Sequence, residues 1–159
     1  MYDYNAIFEM HLAAINEQTA ASEAFRKRVS PVQWIREFRV VGMHTSRQTG
    51  KTEFALKCLG VNPSVLLLVR TDSDKKLLIQ DAPKIIERPL TAEEITRIVT
   101  PDMIISAHKH GLFYNSIPAF TTLIVDESWY IYKNSINRNT VYRWVADREI
   151  VNPLIVQLN

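Results

Sequence analysis

Val40-Val41-Gly42-Met43-His44-Thr45-Ser46-Arg47-Gln48-Thr49-Gly50-Lys51-Thr52 reads as a strand running into a phosphate-binding loop. The loop pattern is Gly, four residues, then Gly-Lys-[Ser/Thr]. Here Thr45 takes the first glycine position and Gly50-Lys51-Thr52 completes the pattern. The retained residues have the heaviest chemical duty. Gly50 lets the backbone approach phosphates, Lys51 reaches β- and γ-phosphates, and the Thr52 hydroxyl is placed to bind Mg²⁺. The first turn of the following helix adds unpaired N–H groups and the positive end of its dipole.

A second stretch agrees with the first. Thr121-Thr122-Leu123-Ile124-Val125-Asp126-Glu127 is an apolar run closing on Asp-Glu, the form of a Walker B strand whose aspartate meets the metal. Two such signals in this order, each at the C-terminal end of a predicted strand, outweigh an ordinary strand-to-helix turn at Gly50.

At 159 residues, 47% hydrophobic and a net charge of +2, the chain fits one compact domain with a real core and is too short for two nucleotide-binding lobes. The charge is too weak to argue for nucleic acid by itself. A single cysteine, Cys58, excludes an intrachain disulfide and a multi-cysteine zinc site and suits a reducing cytoplasm. No run approaches the length of a membrane span, so a membrane is not an expected partner.

From the N-terminus, Asn5 to Lys27 reads as one helix with an imperfect apolar stripe at Ile7, Phe8, Met10, Leu12 and Ile15. Residues 1–29 are taken as an N-terminal helical segment and 30–159 as the main domain. Ser30-Pro31-Val32-Gln33 starts a short helix to about Glu37, and Phe38 to Met43 is the first core strand. Lys51 to Leu59 reads as a helix stopped by Gly60, with Ala55, Cys58 and Leu59 facing inward. The apolar run within Ser64 to Arg70 reads as a strand buried on both faces. Strand, helix and strand at this spacing form a βαβ unit, so the sheet is expected to be parallel.

Beyond it, Thr71 to Pro89 reads as a short helix and a loop. Thr91 to Val99 reads as a helix with a Thr91–Glu94 capping box, ended by Pro101. Met103 to Ala107 reads as a short strand and His108-Lys109-His110-Gly111 as a polar loop, whose two histidines lack a third metal ligand. The aromatic patch Ser128-Trp129-Tyr130-Ile131-Tyr132 is read by default as core, with base stacking as the alternative. Asn139 or Thr140 caps a helix to about Arg148, with Val141, Trp144 and Val145 inward. Pro153 to Leu158 is the last strand.

The chemistry follows from phosphoryl transfer, in which positioning and charge stabilisation carry the rate. Lys51 offsets charge on the β- and γ-phosphates. Thr52 and, through water, Asp126 hold Mg²⁺. Glu127 orients the attacking water, a role for which a small-molecule kinase has no need. Asp126-Glu127 therefore favours hydrolysis of ATP over transfer to a metabolite.

Thr45 to Thr52 resembles the variant Walker A of the large terminase ATPases, the viral DNA-packaging motors, in which Ser-Arg-Gln precedes the final Gly-Lys-[Ser/Thr]. It is also similar to the wider group of helicase-like P-loop ATPases. Pro31-Val32-Gln33 resembles the adenine-reading glutamine segment of both groups, Val65 to Thr71 the strand and turn after the helicase P-loop helix, and Leu123 to Glu127 their Walker B. The resemblance implies a three-layer α/β/α, RecA-like P-loop domain with a mainly parallel sheet, preceded by an N-terminal helix. It implies ATP and Mg²⁺ as ligands, a phosphate cradle of Ser46, Arg47, Gln48, Thr49, Gly50, Lys51 and Thr52, an adenine contact at Gln33, and Arg47 supplied in cis to the γ-phosphate. A solvent-facing Arg47 remains the alternative. It further implies nucleic acid, DNA or RNA, as the substrate handled by such a motor. Relatives continue into a further domain, so other subunits or a partner are expected to complete the site, with Arg138, Arg143 and Arg148 as candidates toward a neighbour or as solvated surface cations. The competing readings are a nucleotide-gated interaction module with little turnover and, less favoured, a small-molecule kinase.

Overall fold

The structure, a computed structural model, describes residues 3–44, 50–110 and 117–159, without the His110 side chain. Five parallel strands form one sheet in the order β1-β5-β4-β2-β3. The strands are β1 (Val40–Met43), β2 (Val65–Leu68), β3 (Ile98–Val99), β4 (Thr122–Val125) and β5 (Leu154–Leu158). The helices among the described residues are α1 (Tyr4–Ala21), α2 (Glu23–Arg26), α3 (Pro31–Phe38), α4 (Lys51–Val61), α5 (Asp72–Ile85), α6 (Ala92–Thr96), α7 (Pro101–His110), α8 (Ser128–Asn134) and α9 (Arg138–Ala146).

Alternation along the strands sends successive side chains to opposite faces, and both faces are buried, as parallel sheets require. Val65, Leu67, Ile124, Leu154, Val156 and Leu158 join a core with Phe54 and Leu59 of α4, against which Ile7, Phe8 and Leu12 of α1 pack. Leu66, Leu68, Leu123, Val125 and Ile155 join a second core with Ile35 of α3, Ile104 of α7, Ile131 of α8 and Trp144 of α9. The protein is therefore α/β, with helices on both faces of a wholly parallel sheet. No helix among the described residues is long and apolar enough to cross a membrane.

Two buried arginines tie the frame together. Arg39, between α3 and β1, donates to the Pro153 and Asn152 carbonyls at 3.1 and 3.0 Å and to Thr19 Oγ1 of α1 at 3.0 Å, fastening α1 to the entry of β5. Arg97 donates to the Leu59 and Asn62 carbonyls at 2.8 and 2.9 Å, satisfying the carbonyl end of α4 where a cation also suits the helix dipole.

Several expectations are corrected. The N-terminal helix breaks at Ser22 instead of running to Lys27. Gly60 does not stop α4, which continues to Val61. Cys58 packs against the core as expected, though it is only half-buried, and burial pushes its thiol up to about 11. Thr71 to Pro89 is mostly one 14-residue helix that tolerates Pro83 in its last turn. The capping box forms as expected, with Thr91 N donating to the Glu94 carboxylate at 2.8 Å and Glu94 N to Thr91 Oγ1 at 3.2 Å. That helix ends at Thr96, however, and Ile98–Val99 is the edge strand β3.

Met103 to Ala107, expected as a strand, lies in α7 together with His108 and His110. Pro101 opens that helix rather than closing the preceding one, as proline does at a first helical position. Pro101, Ile104 and Ala107, each one turn from the next, are buried on it. A short apolar run fits either period, and the proline's role decides between them. Asn137 rather than Asn139 or Thr140 caps α9, accepting from Asn139 N at 2.8 Å.

Candidate functional site

His44, Arg70, Asp126, Glu127 and Asn159, which follow β1, β2, β4 and β5, stand at the carboxyl ends of the strands, where open parallel sheets place their ligands. Gly50 precedes α4 with φ 90° and ψ 16°, a left-handed conformation natural to glycine. Lys51 and Thr52 follow as the first two residues of α4. Thr45, Ser46, Arg47, Gln48 and Thr49 lie outside the described residues. The far end of the helix is pinned by Arg97, so its N-terminal turn is held from below.

At the end of β4, Asp126 N donates to the Leu68 carbonyl at 3.0 Å, extending the ladder with β2 by one bond. Thr52 Oγ1 stands 3.5 Å from Asp126 Oδ2 and donates to it. The two motifs, 74 residues apart in the chain, therefore converge on one point. Burial raises the Asp126 carboxyl above the usual carboxylate range and Glu127 raises it further, while Lys51 and Thr52 pull it down. A half-buried carboxylate beside a hydroxyl is a hard oxygen donor pair of the kind Mg²⁺ takes along with water and phosphate oxygens.

Glu127 has φ 53° and ψ 45° and stands at the N-cap position of α8, yet its side chain caps nothing. The cap comes from another strand. Asn159, after β5, accepts from Ser128 Oγ and from Trp129 N. Its amide nitrogen lies 3.1 Å from His44 Nδ1, just past β1, and its own N–H donates to the Met43 carbonyl at 3.1 Å. The Glu127 carboxylate is thus left to the cleft, on a backbone whose left-handed conformation is costly for a residue with a side chain.

That cleft, of about 230 Å³, is lined by Thr52, Asp126, Glu127, Arg70, Asp74 and Asp81 among others. Arg70, the first residue after the β2 run and Val69, donates to Asp74 at 3.1 and 2.8 Å. Its guanidinium lies 5.3 Å from the Tyr130 ring centroid. The hydrogen bond that Arg70 donates to Asp74 raises the Arg70 pKa, and Glu127 contributes to the same shift.

Gln33 donates its amide to Glu37 at 3.1 Å, one turn along α3, and its N–H to Ser30 Oγ at 3.1 Å. It does not line the Asp126 cleft. Trp129 and Tyr130, expected as core, are exposed, and Ser128 and Ile131 are the buried residues of that turn. His108 Nδ1 pairs with Asp147 at 3.5 Å.

The residues that sequence reasoning missed are Arg70, Asp74, Asn159 and His44. Arg70 left a signal, a charge at the carboxyl end of an apolar run, and Asp74 left another, four residues beyond Arg70 and three beyond the capping Thr71. Asn159 and His44 depend on strands brought together only by the fold.

No protein-family model matches the chain, and no curated protein matches it significantly.

Proposed function

We propose that this protein is a RecA-like P-loop ATPase that binds Mg·ATP and hydrolyses it. One observation carries the reading: Lys51 and Thr52 at the start of α4 converge on Asp126, with Thr52 Oγ1 at 3.5 Å from its carboxylate and Lys51 lowering its pKa. Gly50, Lys51 and the α4 N-terminus receive the β- and γ-phosphates. Thr52 and Asp126 are the residues that would hold Mg²⁺, which when bound neutralises charge on the phosphate oxygens. Glu127 accepts a proton from the water that attacks the γ-phosphorus as the bond to the bridging oxygen of ADP breaks. By resemblance, Arg47 is assigned to the γ-phosphate and Gln33 to adenine. Coupling to nucleic acid in a packaging-like or helicase-like motor, with further subunits completing the site, rests on the Ser46-Arg47-Gln48 likeness.

Phosphate release from Mg·ATP tests this. The wild type turns over; Glu127→Gln binds ATP and releases phosphate at least 100-fold more slowly. Equal release by the variant removes Glu127 from the mechanism.

A second reading is a nucleotide-gated interaction module. It is favoured by Asn159, which links the end of β1 to the start of α8 and so connects the nucleotide site to an exposed helix. Under it, ATP binds while phosphate release stays at background.

A further inference from the structure

On the other face of α8 lies an open groove of about 770 Å³ between α8, α9 and α3. Arg36, Lys133 and Arg138 line it, and none of its lining residues is acidic. The cations are arranged on aromatics: Lys133 Nζ is 4.6 Å from the Trp129 ring centroid and Arg138 Cζ 4.9 Å from that of Tyr132. Arg36 meets Glu37 at 3.2 Å, whereas Lys133 and Arg138 have no carboxylate within ion-pair distance among the described residues. Asn137, Arg138 and Asn139 bring the N-terminal turn of α9 to the rim, and that turn holds no acidic residue. On the floor, Gln157 Nε2 donates to Tyr142 Oη at 3.0 Å and to Tyr132 Oη at 3.4 Å.

We propose that this groove binds single-stranded nucleic acid, with Lys133, Arg138 and Arg36 against successive phosphates and a base stacked on Trp129. A lone small anion would use the cations but leave the exposed indole without a role. A duplex holds its bases inside the stack and gives Trp129 nothing to cover. A single strand uses both, which is the combination of cationic track and aromatic platform that sequence-tolerant binders employ. The inference stands on this surface alone and does not depend on ATP hydrolysis.

The protein carries its own reporter. Of its three tryptophans, Trp34 and Trp144 are 3% and 0% exposed, while Trp129 is 62% exposed. Without nucleotide, oligo(dT) or oligo(rU) titrated into the full chain at 50 mM salt quenches tryptophan fluorescence, and the two arms distinguish DNA from RNA. With three phosphates neutralised, log affinity falls with log salt at a slope of about −2. Trp129→Ala weakens binding about tenfold and abolishes the quench. Lys133→Glu/Arg138→Glu weakens it more, whereas Lys27→Glu/Arg28→Glu, the same charge change away from the groove, weakens it far less. Circular dichroism confirms that each variant is folded. No binding at 50 mM salt, equal loss from the Lys27/Arg28 pair, or a duplex binding as tightly as the single strand would overturn the proposal.

Discussion

The two sides of α8 are electrostatic opposites. On one side, the cleft at the end of β4 gathers Asp74, Asp81, Asp126 and Glu127. Asp74 is paired with Arg70 at 2.8 Å and Asp81 with Lys84 at 2.9 Å, so the uncompensated charge concentrates on Asp126 and Glu127. On the other, the groove carries Arg36, Lys133 and Arg138 with no acid. An anion can enter the first only if a cation comes with it or is already there; a polyanion can lie in the second directly. This difference supports the two proposals, metal-assisted phosphate chemistry on one side and strand binding on the other, with a seven-residue helix between them.

The largest effect that separates the sides is loss of the Asp126 carboxylate, proposed to hold Mg²⁺. Asp126→Asn is expected to lower Mg²⁺-dependent phosphate release at least 100-fold, whereas Lys133→Glu/Arg138→Glu leaves release without nucleic acid within about twofold of wild type. A parallel loss in both variants would merge the two surfaces into one site. Arg70→Ala should come next, slowing release about tenfold with little change in nucleotide affinity, because it removes a cation that interacts electrostatically with Glu127. A change confined to affinity would make Arg70 a binding residue instead.

Stability offers a finer contrast between two carboxylates. Glu94 is held down to about 2, first by its hydrogen bond with Arg88 and also by the Thr91 N–H. Its contribution is complete above the ordinary glutamate pKa and is lost as pH falls toward 2; Glu94→Gln should cost about 2 kcal/mol at neutral pH, read by urea denaturation. Asp126 is shifted the other way by burial and by Glu127. Its ionisation weakens the fold as pH rises from the ordinary aspartate pKa through its raised folded value. Asp126→Asn should therefore melt higher than wild type at pH 7, the gap closing at low pH. The smallest effect is at Glu127, whose φ of 53° favours glycine: Glu127→Gly should gain about 0.5 to 1 kcal/mol while losing activity. A loss of stability would mean that the side chain, not the cleft, justifies that conformation.

Much of the frame was legible in the chain. The runs Val65–Leu68 and Thr122–Val125 are continuous apolar stretches, and strands covered on both faces leave that pattern. Thr91–Glu94 and Ser30–Pro31 announced helix starts through local hydrogen bonding that needs no tertiary context. Met103–Ala107 failed because its short apolar run fits both periods and Pro101 was read as a stop. Trp129 and Tyr130 failed because aromatic content says nothing about which side of α8 faces the core. At the site, Lys51, Thr52, Asp126 and Glu127 were chosen from their motifs, and the fold brings Thr52 to Asp126. The nearness of Arg70 to Glu127, and Asn159 spanning His44 and Trp129, arise from strand order: β2 lies beside β4, and β5 lies between β1 and β4, neighbour relations absent from local sequence.

The most direct measurement of the central claim is phosphate release from Mg·ATP by the wild type and by Glu127→Gln, with ATP binding followed in parallel. The account predicts turnover in the wild type and retained binding with release at least 100-fold slower in the variant. Equal turnover in the two proteins, or no ATP binding by either, would contradict it.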